Sequence, residues 1–345
     1  MKYKEIAEKC GVSISTVSRA LNGKPGVNEA LRSRIFSLVE HEKAAGTDSA
    51  AFESAVRKKR GKKAGKSYVG IILLGSHSYF CYETLGAIYD ALKSYGYTMG
   101  VFRVDDNGDE IAEAASLEKE DRLAGLILLG GRYDYAFEEI KNISVPFVMC
   151  GYTNRFGTLP LDSYSSVSCD DYMTGYDAAE VLIKAGHRRI GAVFTKTDDR
   201  SISALKYNGF LAALADHGIE HDPGLVVESD DDDMESAYQS AKKLMERGEK
   251  MTAVYTVSDN MAIGIMKALA DSGIKVPKDM SLISIDGLDF TRYTVPTLTT
   301  MVQPMREMGL ECVEQLVSLI NGGPHRQIIL PSALRPGETL KKNKK

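Results

Sequence analysis

The stretch that decides the fold of the N-terminal part is residues 6–27, which read IAEKCGVSISTVSRALNGKPGV. Ala7 is small enough for two helices to meet there, Gly11 permits the turn between them, and Val17 gives the second helix an apolar side toward the first. A third apolar stripe follows Asn28, which is a good helix N-cap. Three short helices of this kind predict a helix-turn-helix head.

The second helix of this head has the chemistry of a DNA-reading helix. Ser13 is placed to cap its start, hydroxyl side chains follow, and Arg19 lies one turn further along. Hydroxyls and backbone amides suit phosphate oxygens, and an arginine suits a guanine edge in the major groove. A small helical adaptor with surface serines would show the same pattern, so the charge distribution has to decide.

The net charge of −4 conceals a strong asymmetry. Residues 1–66 hold 15 Lys and Arg against 7 Asp and Glu, a net charge of +8, whereas the remaining 279 residues carry −12. A small basic part on a large acidic one indicates a module that meets a polyanion. For the basic cluster within residues 57–66, two interpretations stay open: a solvated linker, or a segment that lies along phosphates.

From residue 68 onward, short apolar runs alternate with amphipathic helical stretches. This alternation predicts parallel sheets with helices on both faces, and its length predicts two doubly wound lobes with a cleft at the carboxyl ends of their strands. The predicted strands lie near residues 69–74, 98–102, 126–129, 146–150, 190–194, 253–257 and 282–285.

The predicted fold is therefore a small all-α helix-turn-helix head on an α/β core of two doubly wound parallel-sheet lobes. The segment 159–168, with Pro160 followed by four serines, is interpreted as a crossing between the lobes. The predicted domains are a head at 1–45, a basic hinge or linker at 46–67, a core at 68–340 with lobe one at about 68–162 plus 292–322 and lobe two at about 163–291 plus 323–340, and a basic tail at 341–345.

Composition and motifs also exclude several classes of protein. Five cysteines without a C-x-x-C pair favour neither a disulfide framework nor a zinc ribbon, and they fit a reducing cytoplasm. The longest apolar runs are of strand length, and no leader follows Met1, so we expect neither membrane insertion nor export. Localisation is predicted to be cytoplasmic.

The sequence contains no convincing catalytic or metal-binding motif. His217 and His221 flank a glycine in a helix-ending sequence, and the acidic run at 105–109 lacks the offsets of a calcium loop. Asp230 to Asp233 are interpreted as a solvated acidic loop. Without a phosphate-binding glycine loop or a nucleophile motif, we predict no enzyme, no metal and no cofactor.

Residues 6–27 resemble the head of the lactose-repressor (LacI/GalR) family of bacterial transcription regulators. Later segments resemble the same family in the same order: GHRRIG at 186–191, Gly209-Phe210, SDNMAIG at 258–264, VPKDMS at 276–281 and LTTMVQP at 298–304. The resemblance implies a homodimer that binds a pseudo-palindromic operator in double-stranded DNA. It also implies a core like that of periplasmic sugar-binding proteins, with a small-molecule effector from the carbohydrates.

The resemblance assigns DNA contacts by position. It implies base contacts by Ile14, Ser15, Thr16 and Arg19, and phosphate contacts by Ser13, Ser18 and Asn22. The family's hinge helix would fall where this chain has Phe52, Val56 and Arg57, with Phe52 or Val56 as the minor-groove wedge. The linker here departs from the family pattern and is longer, so the register of that helix stays open.

The resemblance also implies an effector site between the lobes. Its residues would be Phe80 as a stacking platform, Lys206 where the family often has arginine, Ser258, Asp259 beside it, and Asp286 at the end of a strand. A carboxylate, an ammonium and an aromatic ring suit a polyhydroxylated ligand. Lysine lacks the forked geometry of arginine, so recognition there would be less bidentate.

These observations predict a DNA-binding transcription regulator, of the repressor type, whose operator affinity depends on a sugar or sugar derivative. Two alternatives remain. One is a small-molecule binding protein without regulatory DNA binding, against which the basic head argues. The other is an enzyme of ribose or nucleoside metabolism on a similar two-lobed fold.

Overall fold

The chain divides into two compact units, residues 1–64 and 65–345, which are described separately. The computed structural model describes residues 67–74, 79–105, 108–119, 123–195 and 201–343 of the second unit, and in the first unit Ala7, Lys9, Cys10, Val12, Ser13, Thr16, Val17, Ala20, Leu31 and Ile35.

The head has a small apolar core. Ala7, Val17, Ala20 and Ile35 are buried together, each from a helical segment. The backbone N–H of Thr16 donates to Ser13 Oγ over 3.1 Å, so Ser13 caps the start of the second helix, as the sequence predicts. The packing of Val17 with Ala7 is the contact that a helix-turn-helix requires.

The second unit alternates strands and helices along its whole length. Its strands are β1 (Tyr68–Leu74), β2 (Thr98–Val104), β3 (Leu123–Leu129), β4 (Phe147–Cys150), β5 (Ser165–Cys169), β6 (Ile190–Phe194), β7 (Val226–Glu228), β8 (Ala253–Thr256), β9 (Ser281–Asp286), β10 (Thr299–Val302), β11 (Gln327–Leu330) and β12 (Ala333–Arg335). Its α-helices are α1 (Tyr79–Ser94), α2 (Glu110–Leu117), α3 (Phe137–Ile140), α4 (Asp171–Lys184), α5 (Ile202–Asp216), α6 (Met234–Glu246), α7 (Asp259–Asp271) and α8 (Met305–Ile320). Two 3₁₀ turns lie at Pro223–Leu225 and Asp289–Tyr293.

Two six-stranded sheets define two lobes, as predicted. The first lobe has the strand order β11-β5-β4-β3-β1-β2, and all its strands are parallel. The second lobe has the order β12-β10-β9-β8-β6-β7, and only β12 runs antiparallel to its neighbour.

The central strands are apolar on both faces because helices cover both sides of each sheet. In β1, Val69 and Ile71 pack into the apolar cluster on one face, and Ile72 packs into the cluster on the other. In β3, Ile127 and Leu128 divide between the two faces in the same way. Side chains that alternate at every residue produce this division.

The predicted lobe boundaries need three corrections. β5 and β11 pair in the first sheet, where the sequence analysis assigns their residues to lobe two, and β10 pairs in the second sheet instead of belonging to lobe one. The cause of the first error is the serine-rich segment, because Ser165, Ser166 and Ser168 are buried strand residues. The chain passes between the lobes after β5, after β10 and after β11.

Candidate functional site

A cleft of about 440 Å³ lies between the two lobes. Its lining comes from the carboxyl ends of the strands or from the segments that follow them, as in other doubly wound sheets. The first lobe contributes Leu74, Gly130 and Gly151 to the lining, and the second lobe contributes Thr195 and Val257.

Two aromatic side chains form the wall of the first lobe. Phe80 lies in the first turn of α1 and lines the cleft, as predicted. Tyr133 lines it as well, with its ring stacked on Tyr152 at a centroid distance of 6.3 Å. Burial raises the pKa of Tyr133 well above its usual value, so its hydroxyl remains a neutral donor and acceptor.

Lys206 reaches the cleft from α5 because α4 and α5 pack backbone against backbone. A Cβ on Gly175 would lie 2.3 Å from the carbonyl oxygen of Lys206, and a Cβ on Gly209 would lie 2.0 Å from that of Tyr172. Only glycine permits this approach. As a result, Lys206 is buried, with a relative exposure of 5%. Its Nζ donates a hydrogen bond to the carbonyl oxygen of Val257 over 3.3 Å.

Asp171, the first residue of α4, faces this lysine. Its Oδ1 lies 3.8 Å from Lys206 Nζ, and both residues are buried. Burial raises the pKa of Asp171 from 3.8 to about 6, although the Lys206 ammonium opposes the shift. The pair places a charged donor and a charged acceptor side by side in the cleft.

Asp286 ends β9 and also lines the cleft. Gln303 Nε2 donates to its Oδ1 over 2.9 Å, and the backbone N–H of Asp259 donates to its Oδ2 over 3.3 Å. Burial raises the pKa of Asp286 to about 7, with Lys206 opposing and Asp259 adding to the shift. Its φ of +123° is strained for a non-glycine residue, and such strain concentrates at functional sites.

Ser258 and Asp259 differ in their placement. Ser258 lines the cleft and caps α7 by accepting the N–H of Met261. Asp259 lies behind the cleft instead of in its lining, which corrects the predicted direct contact. Its carboxylate is 0% exposed and accepts hydrogen bonds from the Ser284 and Thr300 hydroxyls and from the Leu288 N–H. Asp259 therefore fixes the backbone around Asp286.

The acidic loop after β7 also reaches the cleft. Asp231, which is exposed, and Asp232, which is half-buried, line it. Asp230 and Asp233 are exposed and lie outside the lining, and Asp233 caps α6. Three of the four residues are thus exposed, as the interpretation of a solvated loop predicts, and it is wrong only for the half-buried Asp232. The position of Asp231 and Asp232 at the cleft was not predicted. Burial raises the pKa of Asp232, and the neighbouring Asp231 adds to the shift.

The predicted DNA contacts are only partly within the described residues. Ser13 and Thr16 lie at the start of the second head helix, where their hydroxyl oxygens are 2.8 Å apart. Seven other predicted contacts lie outside the described residues: Ile14, Ser15, Ser18, Arg19 and Asn22 in the head, and Phe52 and Val56 in the hinge. Arg57, the last predicted hinge residue, lies outside them as well.

The two histidines considered as a metal pair have other partners. His221 Nε2 lies 3.1 Å from the Tyr207 hydroxyl, and His217 Nε2 lies 3.6 Å from Glu180. Within the part of the chain that the structure describes, no group of three His, Cys, Asp or Glu side chains could hold a metal ion. Nor does any helix there have the length and apolarity to cross a bilayer.

The comparisons with known proteins agree with this architecture. Residues 2–42 match the model of the bacterial regulatory proteins of the lacI family, and residues 179–340 match that of a periplasmic binding protein-like domain. The chain is 31% identical over 339 residues to the HTH-type transcriptional regulator MalR of Clostridium butyricum, with 97% of each chain covered.

Solved structures show the same fold. The Escherichia coli transcriptional repressor AscG has a TM-score of 0.70 and 26% identity, over 80% of this chain and 99% of that one. A complex of the transcriptional regulator CelR with cellobiose has a TM-score of 0.70 and 22% identity, over 98% and 99% of the two chains.

A helix-turn-helix head on a two-lobed core of the sugar-binding type defines a class of DNA-binding transcription regulators. Within that class, the chain belongs to the LacI family of bacterial regulatory proteins. Its relatives are transcription regulators, so the prediction of a regulator and not an enzyme is confirmed.

Several residues of the cleft were not predicted from the sequence, chiefly Tyr133, Asp171 and Gln303. Asp171 and Gln303 come shortly after β5 and β10, which the sequence analysis did not predict. Their position just after a strand could have identified them, because polar residues at the carboxyl ends of parallel strands line the cleft.

Proposed function

We propose that the chain is a dimeric repressor whose operator affinity is controlled by a sugar or sugar derivative bound in the interlobe cleft. The observation that carries this proposal is the cleft itself, where Phe80, Lys206 and Asp286 converge. An aromatic face suits the C–H surface of a sugar ring, and buried charged groups suit its hydroxyls. The structurally similar CelR holds cellobiose, and MalR and AscG are named as a regulator and a repressor.

The head supplies the DNA-binding half of the proposal. Ser13 caps the second helix of the head, and Val17 of that helix packs into the apolar core of the head. The predicted DNA-contact residues belong to this same stretch of sequence. A dimer presents two such helices to half-sites about one turn of DNA apart, so the operator is pseudo-palindromic. A ligand changes operator affinity by its different affinity for two arrangements of the lobes.

Selection of bound duplexes from a random library by the full-length chain tests the DNA-binding half. At a salt concentration of about 0.15 M, non-specific binding is weak enough for specific sites to emerge. We expect an enriched palindrome. Binding that only fades with salt, with no enriched sequence, would contradict a sequence-specific dimer.

The recovered operator then tests the ligand half. Its dissociation constant is measured alone and with pentoses, hexoses and disaccharides at millimolar concentration. At least one sugar is expected to change it about 5- to 150-fold, the usual range of allosteric coupling. Asp286→Asn should abolish this response, and Asp289→Asn, at an exposed position nearby, should retain it.

A further inference from the structure

Among the described residues that line the cleft, acidic groups outnumber basic groups. The described residues that line it include four carboxyl groups, Asp171, Asp231, Asp232 and Asp286, and one ammonium group, that of Lys206. Burial raises the pKa of Asp171, Asp232 and Asp286 even though Lys206 opposes each shift. Among the described residues of the lining, one cation therefore lies near several acidic groups.

This cation is also already engaged. Lys206 Nζ donates to the Val257 carbonyl oxygen and lies 3.8 Å from Asp171 Oδ1. Within the described lining, an incoming phosphate would meet the four carboxyl groups and no free positive partner. Repulsion of like charges is strong at the buried Asp171 and Asp286, where solvent screening is weak, and it is weaker at the exposed Asp231.

The helix N-termini at the cleft offset the acids only in part. Ser201 caps α5, Ser258 caps α7 and Asp170 caps α4, each by accepting a backbone N–H of the first turn. These are the groups that commonly bind phosphates at helix N-termini. Here the chain's own side chains use part of them.

A separate observation points to a ligand at the same place. Ser203, in the first turn of α5, lines the cleft and is 5% exposed, and its Oγ has no hydrogen-bond partner in the structure. A buried hydroxyl without a partner costs free energy, and a polar ligand in the cleft would supply the partner.

We infer that the ligand of this cleft carries a cationic nitrogen, as an amino sugar does, and that sugar phosphates are excluded. This inference rests on the proposed function and narrows its ligand class. The sugar ring lies against Phe80, its hydroxyls bond to Asp286 and Ser203, and its ammonium group faces Asp231 and Asp232. Charge-assisted hydrogen bonds of this kind are about twice as strong as neutral ones.

The test compares three forms of one sugar ring by calorimetry on the full-length chain. For the gluco, galacto and manno rings, the neutral hexose, its 2-amino-2-deoxy form and its 6-phosphate are titrated at pH 7.5. We expect the amino sugar to bind at least about tenfold tighter than the neutral parent in any ring that binds, and the phosphate to bind weakest. Raising the ionic strength should narrow the difference between the three forms.

Variants of the acidic loop test whether Asp231 and Asp232 cause the preference for the amino sugar. The double change Asp231→Asn and Asp232→Asn should bring the amino and neutral forms to within about twofold of each other. The matched control is Asp230→Asn, since Asp230 is exposed in the same loop and does not line the cleft, and it should keep the preference.

The outcomes separate the two proposals. A neutral hexose that binds as tightly as its amino form, or a phosphate that binds tightest, overturns the cationic ligand and leaves a sugar-responsive regulator intact. Sugars that neither bind here nor change operator affinity in the wider panel overturn both proposals.

Discussion

Gln303 Nε2 donates to Asp286 Oδ1 across 2.9 Å, and this bond joins the cleft to a crossing between the lobes. Asp286 lines the cleft from β9, and Gln303 follows β10 just before the chain passes to α8 of the first lobe. A ligand that contacts Asp286 would thus be one hydrogen bond from a segment that connects the two lobes. Because the bond is buried, its loss leaves a costly unpaired group.

Replacement of Gln303 tests this connection. In Gln303→Met the side chain keeps its length and loses the amide donor, so we expect ligand affinity to fall less than about tenfold. The ligand-induced change in operator affinity should shrink more, because the coupling depends on both lobes sensing the ligand. Operator dissociation constants with and without saturating ligand measure it. Gln239→Met, on the exposed side of α6, is the control, and an unchanged coupling in Gln303→Met would contradict the role.

The raised pKa of Asp286 predicts a pH dependence of stability. Its pKa is about 7 in the folded chain against 3.8 ordinarily, so between these values the folded state holds a proton that the unfolded state has lost. The free energy of unfolding therefore falls as pH rises through this window, by up to about 1.4 kcal/mol per pH unit. Asp286→Asn lacks this loss, so its stability relative to the native chain should rise from pH 5 to pH 8. Urea titrations at both values measure it, and parallel changes in the two proteins would refute it.

The close packing of α4 and α5 predicts the effect of one methyl group. In Gly209→Ala the added Cβ would lie 2.0 Å from the Tyr172 carbonyl oxygen, so the helices must separate. We expect a loss of about 1–3 kcal/mol in stability and weaker ligand binding, because Lys206 moves with α5. Gly86→Ala is the matched control, since a Cβ there meets nothing within 4 Å. It should be neutral or up to about 1 kcal/mol stabilising, and equal thermal shifts in the two variants would refute the packing argument.

The sequence of the head predicts that Arg19 contacts a base in the major groove. Arg19→Ala should cost about 1–3 kcal/mol in operator binding and relax the preference at one base pair in each half-site. Selection of bound duplexes with the variant measures the preference directly. An unchanged selected sequence would remove Arg19 from the base-reading residues.

The basic linker makes a different prediction. Neutralising Lys58 and Lys59 should weaken binding to every DNA sequence to a similar degree and flatten the dependence of affinity on salt. The measurement is the slope of log affinity against log salt for operator and random duplexes. An unchanged slope would favour the other interpretation, a linker that is merely solvated.

The two-lobed fold could be predicted from the sequence because the apolar pattern of β1, β3 and β9 is local and strong. The segment of β5 was misplaced because buried serines look like a surface loop. Ser165 accepts a hydrogen bond from the Arg326 N–H and lies 3.3 Å from His325 Nδ1, so its partners come from the far end of the chain. No local pattern contains that information.

The site shows the same division. Four of the five effector residues expected from the resemblance line the cleft, because each stands in the motif next to a strand end or on α1 or α5. Asp259 stands beside Ser258 in the same motif, yet its partners Ser284 and Thr300 lie 25 and 41 residues away and draw it into the interior. The buried position of the Asp259 carboxylate therefore depends on hydrogen-bond donors that are distant in the sequence.

The interleaved order of the lobes has a consequence for how the protein is made. β11 completes the first sheet by pairing with β5, and β12 completes the second by pairing with β10, yet the two strands are separated only by Pro331 and Ser332. A nascent chain on the ribosome that has not yet released residues 327–335 therefore presents two open sheet edges at once. Such edges invite wrong strand pairing, and the release of this one short segment supplies the missing strand of both sheets.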